Sequence, residues 1–168
     1  MITSTDWIQA LGLLPHPEGG YYREFHRSAH VVPRSALPPA YKGERNLGTV
    51  IYYLLTGNDI SAFHRLPSDE IWHFHAGSAF LVHVIDPGGS CRRIRLGLDI
   101  HVGEVPGLVI PAGHWFGAEV AEEKSYALAS CTVMPGFDFE DLHMPSRDEL
   151  LSMFPELSQE IMHLTRER

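Results

Sequence analysis

Cysteine is nearly absent: the 168-residue chain holds two, Cys91 and Cys131, and no C-x-x-C pair. This excludes a disulfide-stapled fold, a cysteine zinc cluster and a thioredoxin-like redox motif. Two isolated thiols fit a reducing compartment. Long apolar runs are missing too. The longest, Val50 to Leu55, has six residues, where a bilayer-spanning helix needs about 20. No basic-then-apolar export pattern opens the chain, so a cytoplasmic location and no membrane partner are expected. Basic charge is scarce as well, with 13 Lys and Arg against 21 Asp and Glu and a net charge of −8. That balance leaves no broad positive surface for nucleic acid. The one basic run, CRRIRLG from Cys91 to Gly97, reads as a solvated strand face carrying Arg93 and Arg95. Repeats and low-complexity segments are lacking, and the length suits a single domain over residues 1–168 with one hydrophobic core.

Helix signals stand only at the two ends. STDWIQALGLL opens with capping residues, sets Trp7, Ile8 and Leu11 on one face, and is expected to stop at Pro15. Ser146 and Glu149 form an S-x-x-E capping box before LLSMF, and Leu157, Ile161 and Leu164 continue as an apolar stripe. Between them, about Gly20 to Val133, the chain reads as strands: YYREF, TVIYYLL, ISAFH, EIWHF, AFLVHVI, RRIRL, GLVI, WFGAEV and SYALASCTV. These runs are rich in β-branched and aromatic residues and are separated by Gly, Pro, Asn and Asp. DPGGS is a turn between two of them, and SALPPAYKGE is expected to be an extended surface loop. A mainly β fold follows, an antiparallel barrel or jelly roll.

Chemistry concentrates in FHRLPSDEIWHFHAG, Phe63 to Gly77. Strand alternation splits its histidines. If Glu70 faces inward, Trp72 and Phe74 accompany it, while His73 and His75 point away. His64 and Glu70 are then the pair that shares an interior, with Trp72 as an apolar wall. In HPEGGYYRE the paired glycines permit a tight turn. Alternation after them sends Tyr21 and Arg23 to one face, beside Glu18, with Arg23 suited to an anionic group or to pairing with Glu18 or Glu24. PGFDFED supplies Phe137 and Phe139 at spacing two, as pocket wall or as core.

Glu70 to Gly77 as E-x6-G, followed by Pro111–Gly113, resembles the two halves of the cupin signature, G-x5-H-x-H-x3-4-E-x6-G and G-x5-P-x-G-x2-H-x3-N. HPEGGYYRE, FHRLPSDEIWHFHAG, IPAGHWFGA and CTVMPGFDFED, in that order, are together similar to one subgroup, the "cupin five" family of uncharacterised proteins, over nearly the whole chain. The resemblance implies a double-stranded β-helix, or jelly-roll barrel, with short N- and C-terminal helices, and a homodimer.

Metal-binding cupins use both histidines of H-x-H, the glutamate and the second-motif histidine. Here Ala62 or Leu66 stands at one H-x-H position and Phe116 at the second-motif histidine; His114 lies two residues early. Neither a metal nor another cofactor is therefore expected. Metal-free cupins of similar arrangement include nucleotide-sugar epimerases, in which an interior histidine removes a proton beside a carbonyl. The leading expectation is a small polar or anionic metabolite as partner, with isomerase or epimerase activity on a sugar derivative. His64 would be the base, Glu70 its partner or the acid, and Glu18, Tyr21, Arg23, Trp72, His114, Phe116, Phe137 and Phe139 the binding residues. Two alternatives stay open: a non-catalytic ligand-binding or sensor module, and a metal-dependent isomerase or dioxygenase using His64, Glu70 and His114.

Overall fold

The computed structural model describes residues 2–166. At the N-terminus Thr3 caps helix α1 (Ser4–Leu11) through a reciprocal box with Asp6. The helix ends at Gly12, in the left-handed region at φ 60°, three residues before the proline expected to stop it. After the short strand β1 (Leu14–Pro15), β2 (Tyr21–Arg27) begins; β3 (Val31–Val32) and β4 (Arg45–Asn46) form a small separate ladder. The main strands follow: β5 (Thr49–Thr56), β6 (Ile60–His64), β7 (Asp69–Gly77), β8 (Phe80–Ile85) and β9 (Cys91–Leu96). Next come β10 (Gly107–Ile110), β11 (Trp115–Val120) and β12 (Tyr126–Met134), and then helices α2 (Arg147–Met153) and α3 (Ser158–His163).

Two antiparallel sheets result. One runs β1-β2-β5-β12-β7-β10 and the other β6-β11-β8-β9. Tyr53, Trp72 and Ala129 from the first pack against Phe80, Val82 and Phe116 from the second in one buried cluster, the two-layer arrangement of a jelly roll. Among the described residues no ladder joins the sheets, so the expected barrel is an open sandwich. α1 lies outside the first sheet, with Trp7, Ile8 and Leu11 on Leu13, Leu54 and Leu128. α2 and α3 lie outside the second, where Leu150, Phe154, Ile161 and Leu164 bury against Phe63, Ile85 and Trp115. Ser146 caps α2 by accepting from the Glu149 amide.

The segment expected as a surface loop is anchored instead. Tyr41 is buried and its hydroxyl donates to the Pro67 carbonyl. A little further on, Arg45 holds Asp141 through two bonds of 2.7 and 2.8 Å. That buried pair ties β4 to the loop following β12.

The phase of β2 also differs from the expectation. Tyr22 stands opposite Tyr53, whose side chain is in the inter-sheet core, and Tyr21 stands opposite Leu54, which faces α1. Tyr22 and Glu24 therefore point between the sheets. Tyr21 packs beneath α1, and Arg23 reaches outward to donate to the Leu11 carbonyl at 2.8 Å. The turn sets this phase. Gly19 and Gly20 both have positive φ, 120° and 69°, and a Cβ on Gly19 would meet the Ile60 carbonyl oxygen at 1.9 Å.

Candidate functional site

Between the sheets, at the end where β2, β6, β7 and β12 meet the loop after β12, lies a cavity of about 340 Å³. This is the size of a small-metabolite site. Its floor is made of groups that a protein interior rarely takes without partners. Glu18, His64 and Glu70 are all buried and all line it. Its walls are Ile51, Leu66 and Val133, with Phe137 and Phe139 from the loop. Phe139 is half-exposed at the mouth and its ring lies 6.1 Å from that of His16.

Each polar group is held by its neighbours. The Nδ1 of His64 is 2.8 Å from the Ala62 carbonyl oxygen, which only accepts, so Nδ1 carries a hydrogen and donates it. The Nε2 is 3.0 Å from Glu18 Oε2. Both approach with lone pairs unless one proton lies between them, so the pair holds a shared proton. Burial lowers the His64 pKa from 6.5 to about 4 and raises that of Glu18. Both shifts favour the neutral form, with the carboxyl donating to the imidazole. Ser61 donates to the other oxygen, Glu18 Oε1, at 3.2 Å. His16 sits 3.6 Å from Glu18 through Nδ1 and accepts from the Glu18 amide there. Its hydrogen is therefore on Nε2, and burial lowers its pKa.

Glu70 is a second, separate carboxyl. Trp72 Nε1 donates to its Oε1 at 2.8 Å. Burial first, and then the nearby Glu18, push its pKa up to about 8; the Cys131 thiol beside it is likewise pushed well up by burial. Around neutrality Glu70 is a protonated carboxyl facing a cavity. Perturbed carboxyls in a cleft mark functional sites.

The expected residues divide into those the fold gathers and those it disperses. His64, Glu70, Glu18, Phe137 and Phe139 line the cavity. The carboxyl partner of His64 is Glu18 rather than Glu70, because β6 and β7 belong to different sheets and are not neighbours in a ladder. Trp72 and Phe116 stand behind the floor in the core, Trp72 holding Glu70 and the Phe116 ring 4.0 Å from that of His64. His73 and His75 are exposed on the opposite face of β7, as alternation requires.

Three residues do not belong. Tyr21 and Arg23 are on the far face of β2. His114 sits in the turn before β11, its Nδ1 3.4 Å from the Ala112 carbonyl, and is outside the cavity lining. Alternation in β11 starts only at Trp115, so it does not carry back to His114. Tyr22, Glu24, Arg27, His16, Cys131 and Asp138 line the cavity without having been singled out. For His16 a signal existed, since it is two residues from Glu18 in HPEGG.

The donor set does not fit the four-ligand metal centre of metal-binding cupins. His64 has committed both ring nitrogens, Ala62 and Phe116 replace two ligands, and His114 lies elsewhere. Among the described residues no three His, Cys, Asp or Glu side chains converge in a way that holds a metal ion. No helix among them is long and apolar enough to cross a membrane.

Comparison with known proteins agrees with this architecture. An uncharacterised protein of Saccharomyces cerevisiae is 30% identical over 172 aligned positions, covering 90% of this chain and 81% of its own. A hypothetical protein from Leishmania major has a TM-score of 0.89 at 36% identity, with 99% of this chain and 100% of that one covered. A protein from Shewanella oneidensis also has a TM-score of 0.89, at 37% identity and full coverage of both chains. Oxalate decarboxylase from Bacillus subtilis has a TM-score of 0.55 at 17% identity over 92% of this chain and 37% of its own, a likeness of fold alone. The profile described as Cupin superfamily (DUF985) matches residues 5–145, and the chain belongs to that family.

Proposed function

We propose that this cupin binds a small, hydroxyl-bearing, sugar-like metabolite between its sheets and moves a proton on and off it, as an isomerase or epimerase working without a metal. The observation that carries the reading is the Glu18–His64 pair, 3.0 Å apart on the cavity floor, with the protonated Glu70 lining the same cavity. Epimerisation beside a carbonyl needs one group to take the proton and another to return it. Carboxyls in different environments are suited to divide those roles. Both nitrogens of His64 are bonded within the protein, so Glu18 is the group that meets the ligand, and it takes the ligand's proton as the proton it shares passes onto the His64 imidazole. His64 is its positioning residue, and Glu70 is the acid.

The test is solvent exchange. A panel of reducing sugars and their phosphates is incubated with the protein in D₂O and followed by proton NMR. Deuterium is expected at the carbon beside the carbonyl of at least one compound, and Glu18→Gln is expected to abolish its appearance. Saturable binding of a sugar without exchange would replace this reading with that of a binding module, which the fully bonded state of His64 also suits.

A further inference from the structure

The ionisable groups lining the cavity are one-sided. Among the described residues, Glu18, Glu24, Glu70 and Asp138 contribute four carboxyls, and Arg27 is the single guanidinium. Arg27 is already spent: it holds Glu24 through Nε at 2.9 Å and Nη2 at 2.7 Å, Asn46 through Nη1, and the Phe137 carbonyl through Nη2. The two imidazoles, His16 and His64, are pushed toward their neutral forms by burial. An anionic ligand would therefore enter a field of carboxyls with no free cation to receive it. The floor carboxyl has spare capacity of the opposite kind. Glu70, itself more than nine-tenths buried, accepts from Trp72 at one oxygen and has the Cys131 thiol as neighbour. No other group among the described residues bonds to it. At the mouth Phe137 and Phe139 meet edge to face at 5.0 Å, offering ring surface of the kind that attracts cations.

The geometry points to an organic cation as the ligand: a small molecule bearing an amino group, with its ammonium drawn to the cavity carboxyls, Glu70 foremost, and its body against Phe137 and Phe139. This deepens the proposed function and rests on its reading of the cavity as a ligand site. An ammonium supplies the positive charge that no unengaged group of the lining offers. It also lets a buried carboxyl ionise beside a partner instead of standing protonated.

Three probes of one shape and three charges decide it: 2-phenylethylamine, 2-phenylethanol and phenylacetate, titrated at pH 7 into the intact protein and followed by NMR. The amine is expected to bind at least tenfold tighter than the alcohol, with no saturable binding of phenylacetate. Glu70→Gln is expected to narrow the amine-to-alcohol ratio to under threefold. Should that variant not fold, Asp138→Asn in the loop is expected to lower the ratio at least twofold. A wild-type ratio near one, tighter binding of phenylacetate, or binding of none of the three overturns the inference. A separate pair, D-glucosamine and D-glucose, isolates the other reading. If the amine prefers the cavity and neither sugar enters it, the cation inference stands and the sugar-like substrate falls.

Discussion

Glu70 and His64 illustrate how much, at the scale of single residues, strand parity conveys. Alternation through DEIWHF is enough to send Glu70 and Trp72 inward and His73 outward, and the structure agrees. It cannot say which carboxyl an inward histidine meets, because that depends on which strands are neighbours; His64 meets Glu18, forty-six positions before it. The energetic consequence for Glu70 has a definite sign. Its pKa rises from 4.5 in the unfolded chain to about 8 in the native state, so the native state binds more protons throughout that window. The stability it contributes is complete below pH 4.5 and is lost as pH rises through about 8, at up to about 1.4 kcal/mol per pH unit. Glu70→Gln keeps an acceptor for Trp72 and removes the titration. Urea denaturation at pH 5, 6, 7 and 8 is expected to show the variant gaining steadily on the wild type. Parallel curves for the two proteins would mean that Glu70 is ionised in the native state.

Elements were the most legible level, and one of them shows the limit. ISAFH, GLVI and WFGAEV coincide with β6, β10 and β11 at both ends, because each is a short run rich in apolar residues and bounded by turn residues. β2 was found with its phase reversed. Tyr21 and Tyr22 are chemically alike, so alternation along YYRE has two equivalent phases. The choice is made by the turn at Gly19 and Gly20 and by the register on β5, which are tertiary facts. If that turn sets the phase, it is sensitive to any side chain. Gly19→Ala combines φ 120° with a Cβ placed 1.9 Å from the Ile60 carbonyl oxygen, whereas Gly113→Ala has φ 79° and nothing within 4 Å. Backbone strain alone costs about 1–2 kcal/mol, and the backbone clash adds to it. Gly19→Ala is expected to destabilise by at least about 3 kcal/mol and to loosen His16 and Glu18, while Gly113→Ala costs about 1–2 kcal/mol. Denaturant midpoints of the two variants check the ordering. Equal losses would remove the turn from its role.

Over the whole molecule the cavity belongs to no single element. Its floor comes from both sheets and the turn before β2, and its mouth comes from residues 137–139, a loop with no regular structure of its own. The motifs pointed to the floor, and composition could not show what holds the mouth. That work falls to the buried pair of Arg45 and Asp141, whose side chains are 5% and 3% exposed, ninety-six positions apart in the chain. Removing Asp141 leaves the buried guanidinium with only Glu140, 3.6 Å away and 61% exposed, which costs about 3–5 kcal/mol, whereas replacing both Arg45 and Asp141 by apolar groups of similar size is often neutral. Asp141→Asn is therefore expected to destabilise the protein by about 3–5 kcal/mol, and the double change Arg45→Met with Asp141→Leu to recover most of it. The loop reports separately from stability. The Gly136 amide donates to the Asn46 carbonyl at 2.8 Å and the Phe137 amide to Thr49 Oγ1 at 2.9 Å. Hydrogen exchange at these two amides is expected to accelerate in Asp141→Asn ahead of exchange in β5 and β12, because the loop opens locally before the sheets do. Exchange that rises equally everywhere would mean the pair stabilises the fold as a whole and does not hold the mouth of the cavity in place.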